Sequence, residues 1–320
     1  MDIVQGTLGR GPAAGSIMGR MLSYVEIKTK ITSTFPFLMA LAYLYASGIR
    51  IQPLKTAVFF LGMFFFDLTA TTVNNYCDTK KNHQTLQFSR YTAKAILISL
   101  FIISASLGLY LVYLTDWVVL LLGSLCFLFG VMYSYGPVPI SHGPYGEIVS
   151  GLFYGLLIPA ILIYINMPEG MVFSYSLVGG KLTMTLGVKP MLGLLMLSIV
   201  PFCLTANIML ANNICDLKHD IAVNRYTLPY YLGDTALRLF AAIYYAAFMS
   251  VVVMVAVGFL PPLSLALMVF LIPVQKNINK FFKEQTKEDT FIVSVQNFLI
   301  VIIPHILLIY LGGFLPGWGP

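Results

Sequence analysis

The sequence predicts an all-α integral membrane protein: nine transmembrane helices in a bundle, arranged as two parallel four-helix repeats plus a ninth helix. Three observations carry this. Hydrophobic residues make up 58% of the 320 residues and charged residues 10%, against about 25% charged in soluble domains. Apolar runs recur along the chain at about 20 residues each, the length of a helical span. The mean hydropathy of +0.84 agrees. Finally, the stretch 74–82 recurs nearly unchanged at 212–220, each time at the end of an apolar run. The roughly 10-residue alternating segments of a membrane β-barrel are not seen.

The nine predicted spans are 31–49, 56–77, 93–113, 117–135, 147–167, 191–214, 236–257, 259–275 and 291–311. The eighth is short and starts at Pro261-Pro262. Pro36, Pro159, Pro201 and Pro304 fall inside spans, where neighbouring helices re-satisfy the freed carbonyls. Residues 1–20 lack the apolar core of a signal peptide. Residues 1–30 read as an N-terminal cytoplasmic segment, and 1–320 as one membrane-embedded domain.

Loop charges set the orientation. With the N-terminus in the cytoplasm, 15 of the 19 Lys and Arg fall on the inner side. Arg50, Lys55, Lys181 and Lys189 fall outside. That bias predicts N-in and C-out in the plasma or inner membrane, with Lys276–Asp289 as a solvated inner loop able to touch anionic lipid. The net charge of +6 follows from this topology, and no nucleic-acid partner is expected. Cys77, Cys126, Cys203 and Cys215 form no C-x-x-C pair, so no disulfide framework or zinc site is expected. His305, alone in the ninth run, reads as a packing residue with its hydrogen bonds satisfied.

The repeated stretch carries the chemistry. The first copy is Asn74-Asn75-Tyr76-Cys77-Asp78-Thr79-Lys80-Lys81-Asn82; the second is Asn212-Asn213-Ile214-Cys215-Asp216-Leu217-Lys218-His219-Asp220. The chain has only 13 Asp and Glu, and three of them lie in these two short stretches. Four spans separate the copies, so both finish at the inner surface. Positions i, i+4 and i+8 share one helix face. Asn74, Asp78 and Asn82 thus form one ladder of oxygen ligands, and Asn212, Asp216 and Asp220 another. Amide and carboxylate oxygens suit a hard cation such as Mg²⁺ that also binds substrate phosphates. Lys80, Lys81, Lys218 and Arg225 would meet the remaining negative oxygens. Oxygen ligands and cations at a membrane surface describe a site for a lipid diphosphate. Helix capping and interfacial solvation is the plainer reading of either copy alone.

The second copy, continued by Asn224-Arg225-Tyr226-Thr227-Leu228 and Leu232-Gly233, resembles the UbiA superfamily of intramembrane aromatic prenyltransferases. Within it, the sequence most resembles the 1,4-dihydroxy-2-naphthoate polyprenyltransferases of menaquinone biosynthesis. Tyr133-Ser134-Tyr135-Gly136-Pro137 with Gly146-Glu147 resembles that branch's Y-T-x-G-P and G-E loop, and Glu26-Ile27-Lys28-Thr29-Lys30 its R-P-K-T segment. The first copy departs from the family's N-D-x-x-D-x-x-x-D: Asn75 and Asn82 stand where the family has Asp. Restoring Asn75→Asp is expected to lower the Mg²⁺ requirement. Asp67, earlier on the same predicted helix, lies about 16 Å along it from Asp78, too far to ligate the same ion.

The resemblance implies transfer of a polyprenyl group from polyprenyl diphosphate to an aromatic acceptor, within the bilayer and with Mg²⁺ as cofactor. Asp78, Asp216 and Asp220 are then catalytic through the metal, with Asn74, Asn82 and Asn212 as further ligands. Asn74, Asn212, Lys80, Lys94, Arg225 and Lys28 would contact the diphosphate. Tyr133 and Glu147 would orient the acceptor, although a helix cap also explains Glu147 and a positive-inside anchor also explains Lys28 and Lys94. The 23 Phe and 19 Tyr supply ring faces for cationic charge as well as ordinary membrane packing. Two other readings stay open: a related enzyme for another acceptor such as 4-hydroxybenzoate, and a transporter with paired acidic sites. The transporter predicts sites near the bilayer midplane, whereas these motifs end their spans.

Overall fold

A computed structural model of the chain describes residues 16–81, 85–136, 139–315 and 318; the side chains of Asp78, Lys80 and Lys81 fall outside that set. The predicted ligand Asn82 and motif residue Pro137 also lie outside the described residues.

Helix α1 (Ile17–Tyr24) is capped by Ser16, whose hydroxyl accepts from Gly19 N at 3.1 Å. After a 3₁₀ turn at Ile27–Lys30, α2 runs Ile31–Ala46, α3 Pro53–Lys81, α4 Arg90–Leu114 and α5 Trp117–Ser134. Asp116 caps α5 by accepting from Val118 N at 2.9 Å, and its other oxygen accepts from Tyr164 at 2.6 Å. Helix α6 spans Gly146–Asn166 and is π-helical over Gly151–Leu157. A β-hairpin follows, β1 Phe173–Val178 and β2 Lys181–Leu186. Then come α7 (Val188–Cys215), α8 (Leu217–Ala222), α9 (Leu228–Leu232), α10 (Thr235–Ala256), α11 (Leu271–Lys283) and α12 (Ile292–Gly312).

Seven helices among the described residues are long and apolar enough to cross a membrane: α3 to α7, α10 and α12. The sequence predicted nine spans. The first predicted span, α2, is 16 residues long. The eighth begins as a 3₁₀ segment, Pro262–Phe270, and continues as α11. That continuation corrects the first part of the expected loop over 276–289: 276–283 are helical, and 284–289 are loop and turn. Val274, Ile278 and Phe281 are buried, and the i, i+4, i+7 spacing holds the helix to the bundle although its hydropathy has fallen.

Contacts between helix ends sort the bundle into two ends. Asn166, closing α6, accepts from Gln52 N at 2.6 Å just before α3, and Tyr164 meets Asp116 at the start of α5. At the opposite end Ser134, closing α5, donates to Asn74 near the end of α3, while Glu147, opening α6, accepts from Asn213 near the end of α7. Helices α3 and α7 therefore finish at the same end, and both copies of the repeat lie there.

The core is apolar and continuous through α2, α7, α10 and α12. A close helix crossing lies at Gly155. A Cβ there would fall 2.2 Å from the backbone nitrogen of Phe202 and 2.8 Å from the carbonyl carbon of Pro201. Only glycine lets the π-helical stretch of α6 approach α7 so closely. His305 is fully buried in α12, so it packs in the core, but neither ring nitrogen has a hydrogen-bond partner among the described residues, which corrects the expectation of a satisfied side chain.

Candidate functional site

The predicted ladder of the second copy bends at Asp216, because α7 ends at Cys215 and α8 begins at Leu217. The bend splits the three ligands. Asn212 and Asp216 face a common cation, the ammonium of Lys287: its Nζ lies 2.6 Å from Asp216 Oδ2 and also donates to Asn212 Oδ1. Asp220 turns inward and is buried. Arg225 Nε stands 3.6 Å from Asp220 Oδ1, and Asp220 Oδ2 has no partner. Burial pushes the Asp220 carboxyl above its ordinary pKa, against the lowering pull of Arg225.

Arg225 also ties two distant stretches together. Its Nη2 donates to Ser141 O at 3.2 Å, and Tyr226 N donates to His142 O at 3.0 Å. The α5–α6 loop and the segment after the second motif are thus joined. Asn224 sits beside this junction at φ 57°, a left-handed conformation that asparagine tolerates better than most residues. Glu147 is buried on the same side. Asn213 Nδ2 donates to its Oε1 at 2.8 Å, so Glu147 bonds the second Asn of the N-N pair rather than Asn212.

In the first copy, Asn74 Oδ1 accepts from Ser134 Oγ at 2.8 Å. The neighbouring Tyr133 donates to Met209 Sδ at 3.4 Å, one turn before Asn212. Asn75 points elsewhere: its Nδ2 donates to Tyr24 O at 2.9 Å. This corrects the expectation for Asn75→Asp. A carboxylate there would face a backbone carbonyl on α1, so the change would not supply a ligand to the site. Thr79 is likewise turned back on its own helix, donating to Asn75 O at 2.7 Å.

A cavity of about 470 Å³ opens beside these groups. Asn74, Tyr133, Ser134 and Met209 line it, and deeper it is lined by Phe66, Phe127, Asp67 and Tyr154. Asp67 is held in a buried pair: Lys30 Nζ lies 3.0 Å from Oδ1, Tyr154 donates to the same oxygen at 2.9 Å, and Ser33 donates to Oδ2 at 2.6 Å. Both oxygens of this carboxylate are satisfied, so it anchors α2 and α6 on α3 rather than offering a free ligand. The lysine that enters the interior is therefore Lys30. Lys28 is exposed, as is Lys94 near the start of α4, and among the described residues no hydrogen bond or ion pair joins either to the cluster.

Lys287 is the residue of this cluster that sequence reading missed. It sits in a charged stretch between apolar runs, and neither spacing nor periodicity links it to a motif 71 residues earlier. Its ion pair is partly exposed, with 40% of the Lys287 side chain and 28% of that of Asp216 accessible. A pair of that kind contributes at most about 1 kcal/mol. Lys287→Met is therefore expected to tighten Mn²⁺ binding to the substrate-free protein roughly three- to fivefold, read by electron paramagnetic resonance. An unchanged Kd would mean that the ammonium does not hold these oxygens.

The donor set fits a hard divalent cation. Among the described residues no three His, Cys, Asp or Glu converge on one ion. The available oxygens are instead a mixture of amide and carboxylate. Asn212 and Asp216 already hold an ammonium, and buried Glu147 Oε2, Asn213 Oδ1 and Asp220 Oδ2 lack donors. Unsatisfied buried oxygens carry a cost that a bound cation would offset.

The profile of the UbiA prenyltransferase family matches residues 33–302. The chain is 24% identical over 258 residues to a 1,4-dihydroxy-2-naphthoate octaprenyltransferase of Bacillus subtilis (strain 168), a match that covers 77% of this chain and 76% of that protein. Among solved structures it resembles a UbiA homologue from Aeropyrum pernix K1, with TM-score 0.60 and 16% identity over 86% of this chain and 97% of the other. It also resembles a UbiA homologue from Archaeoglobus fulgidus bound to GPP and Mg²⁺, with TM-score 0.56 and 14% identity over 92% of this chain and all of the other.

Proposed function

Because the chain belongs to the UbiA prenyltransferase family, we propose that it transfers a polyprenyl group from polyprenyl diphosphate to 1,4-dihydroxy-2-naphthoate, giving demethylmenaquinone. The observation that carries this is the placement of the oxygen ligands and cations of Asn212, Asp216, Asp220, Arg225 and Lys287 at the same bundle end as the polar rim of an apolar cavity. The naphthoate acceptor rests on the Bacillus relative's name and on the matching motifs. The homologue bound to GPP and Mg²⁺ supports a metal-bound diphosphate. In this reading the nine helical segments all cross the bilayer, α2 and 262–283 included, with both motifs at the cytoplasmic surface of the cell membrane.

Asn212, Asp216, Asp220, Asn74, Asp78 and Asn82 would hold Mg²⁺. Bound there, it would act as a Lewis acid that stabilises the diphosphate as a leaving group. Arg225, Lys80, Lys94 and Lys287 would bind the remaining phosphate oxygens, Lys287 after letting go of Asn212 and Asp216. The cavity would take the prenyl chain and exclude water while the allylic carbon–oxygen bond breaks. The ring faces of Phe66, Phe127, Tyr133 and Tyr154 would shelter the cationic carbon. Glu147, through Asn213, would set the position of the second motif relative to the α5–α6 loop. The new carbon–carbon bond would form at the acceptor ring, which releases its carboxylate as CO₂.

The test is mass spectrometry of products from purified protein, prenyl diphosphate and Mg²⁺ with dihydroxynaphthoate and 4-hydroxybenzoate in competition. A prenylated, decarboxylated naphthalene product is expected to dominate. Prenylated hydroxybenzoate would reassign the acceptor, and uptake of substrate by proteoliposomes without diphosphate release would favour a transporter.

A further inference from the structure

The hairpin of β1 and β2 stands at the bundle end opposite the motifs. Its strands pair in full register, Phe173 with Leu186, Tyr175 with Met184 and Leu177 with Leu182 on one face, Ser174 with Thr185 and Ser176 with Thr183 on the other. The turn Gly179-Gly180 has φ of 58° and 74°, the two-residue geometry that suits the strand twist. One face is therefore aliphatic and aromatic, and the other is largely hydroxylated, with Val178 paired to Lys181 beside the turn. The apolar face is not buried by the protein: Leu177 is 72% exposed and Leu182 57%. Water is a poor environment for it.

What lies next to this face indicates its occupant. The Trp117 ring packs edge-on against Phe173 at 6.2 Å and Tyr175 at 5.1 Å. Trp117 is the first residue of α5, the span least covered by protein: 11% of its apolar window is buried. The hairpin's apolar face thus continues the lipid-facing surface of α5 at the end of the span. Trp and Tyr are the residues that favour the membrane–water boundary. Lys181 is the single charged residue from 173 to 186, and it sits at the turn. A protein partner is a poorer fit. Two six-residue strands present a face of roughly 200 Å², against about 800 Å² per partner in a stable interface.

We propose that this hairpin is an interfacial membrane anchor, lying in the headgroup–acyl boundary with Phe173, Tyr175, Leu177, Leu182, Met184 and Leu186 turned into lipid and its Ser/Thr face toward water. It fixes the end of the bundle opposite the motifs against the bilayer surface.

The test uses the full chain, purified and reconstituted into phosphatidylcholine–phosphatidylglycerol vesicles. The two native tryptophans are replaced by W117F and W318F, and one tryptophan is introduced on either face as L177W or S176W. With acyl chains brominated close to the headgroup, the L177W protein is expected to lose most of its fluorescence, to emit blue-shifted light and to resist iodide added outside. The S176W protein should show the reverse. Quenching of L177W by iodide and not by bromine would mean that the hairpin stands in water. Protection of L177W from both quenchers would mean that a second copy or another protein covers the face. Equal responses of the two variants would mean that the faces are not sorted. Each of these three results overturns the proposal.

Discussion

Asp216→Asn is expected to lower the rate of prenyl transfer at least about a hundredfold while the protein remains folded. The amide keeps the shape of the side chain and can still accept from Lys287, which lies 2.6 Å from Oδ2 in the native protein. What it loses is the negative charge that a divalent cation needs. Lewis-acid stabilisation of a leaving group supplies several kcal/mol, and each step of about 1.4 kcal/mol is a factor of ten in rate. Asp78→Asn should act alike, since Asp78 is the one carboxylate of the first copy. Single-turnover assays with prenyl diphosphate over a series of Mg²⁺ concentrations, starting from the one that saturates the native protein, give the rate, and size-exclusion profiles in detergent report the fold. Wild-type rates in either variant would remove that carboxylate from the metal site. A loss that higher Mg²⁺ restores would locate the defect in metal affinity instead.

Gly155→Leu is expected to yield no folded protein, and Gly155→Ala a protein of markedly lower thermal stability. The obstacle is backbone, at 2.2 and 2.3 Å from the new Cβ, so no rotamer change in a neighbour relieves it. Overpacking typically costs about 1–3 kcal/mol when side chains can yield; here α6 and α7 must separate, and about 3 kcal/mol is the lower end. Separation would also break the Glu147–Asn213 contact that seats the second motif. Gly123→Ala is the control, because nothing lies within 4 Å of a Cβ built there. If thermal unfolding in detergent places Gly155→Ala level with Gly123→Ala, the close crossing does not exist in solution.

Much of the molecule is legible in the sequence because a bilayer imposes simple rules. A span needs a long apolar run, so α3 to α7, α10 and α12 follow from composition alone. The repeated N-N-x-C-D motif is equally plain, since carboxylates are rare in such a chain. Less legible is anything that depends on which way a side chain turns. Asn74 and Asn75 are adjacent and identical, yet one meets Ser134 beside the cavity and the other meets Tyr24 on α1. Lys28 and Lys30 are near neighbours, yet Lys30 alone is drawn inside, because Asp67 lies across from it. Position along a helix sets these differences, and a motif match does not see them.

The sequence by itself determined the membrane class, the positions of the seven long apolar helices, the two motifs and the family they resemble. These rest on local hydropathy and on residue types at fixed spacing. Only the tertiary structure decided that Lys287 sits on Asn212 and Asp216, that Arg225 joins Asp220 to the α5–α6 loop, that α11 continues past its apolar run, and that an amphipathic hairpin crosses the end of α5. The physical reason is the same in each case. These are long-range contacts, apolar for α11 and charged, polar or aromatic for the others, and their partners are chosen by how the helices pack rather than by their neighbours in the chain.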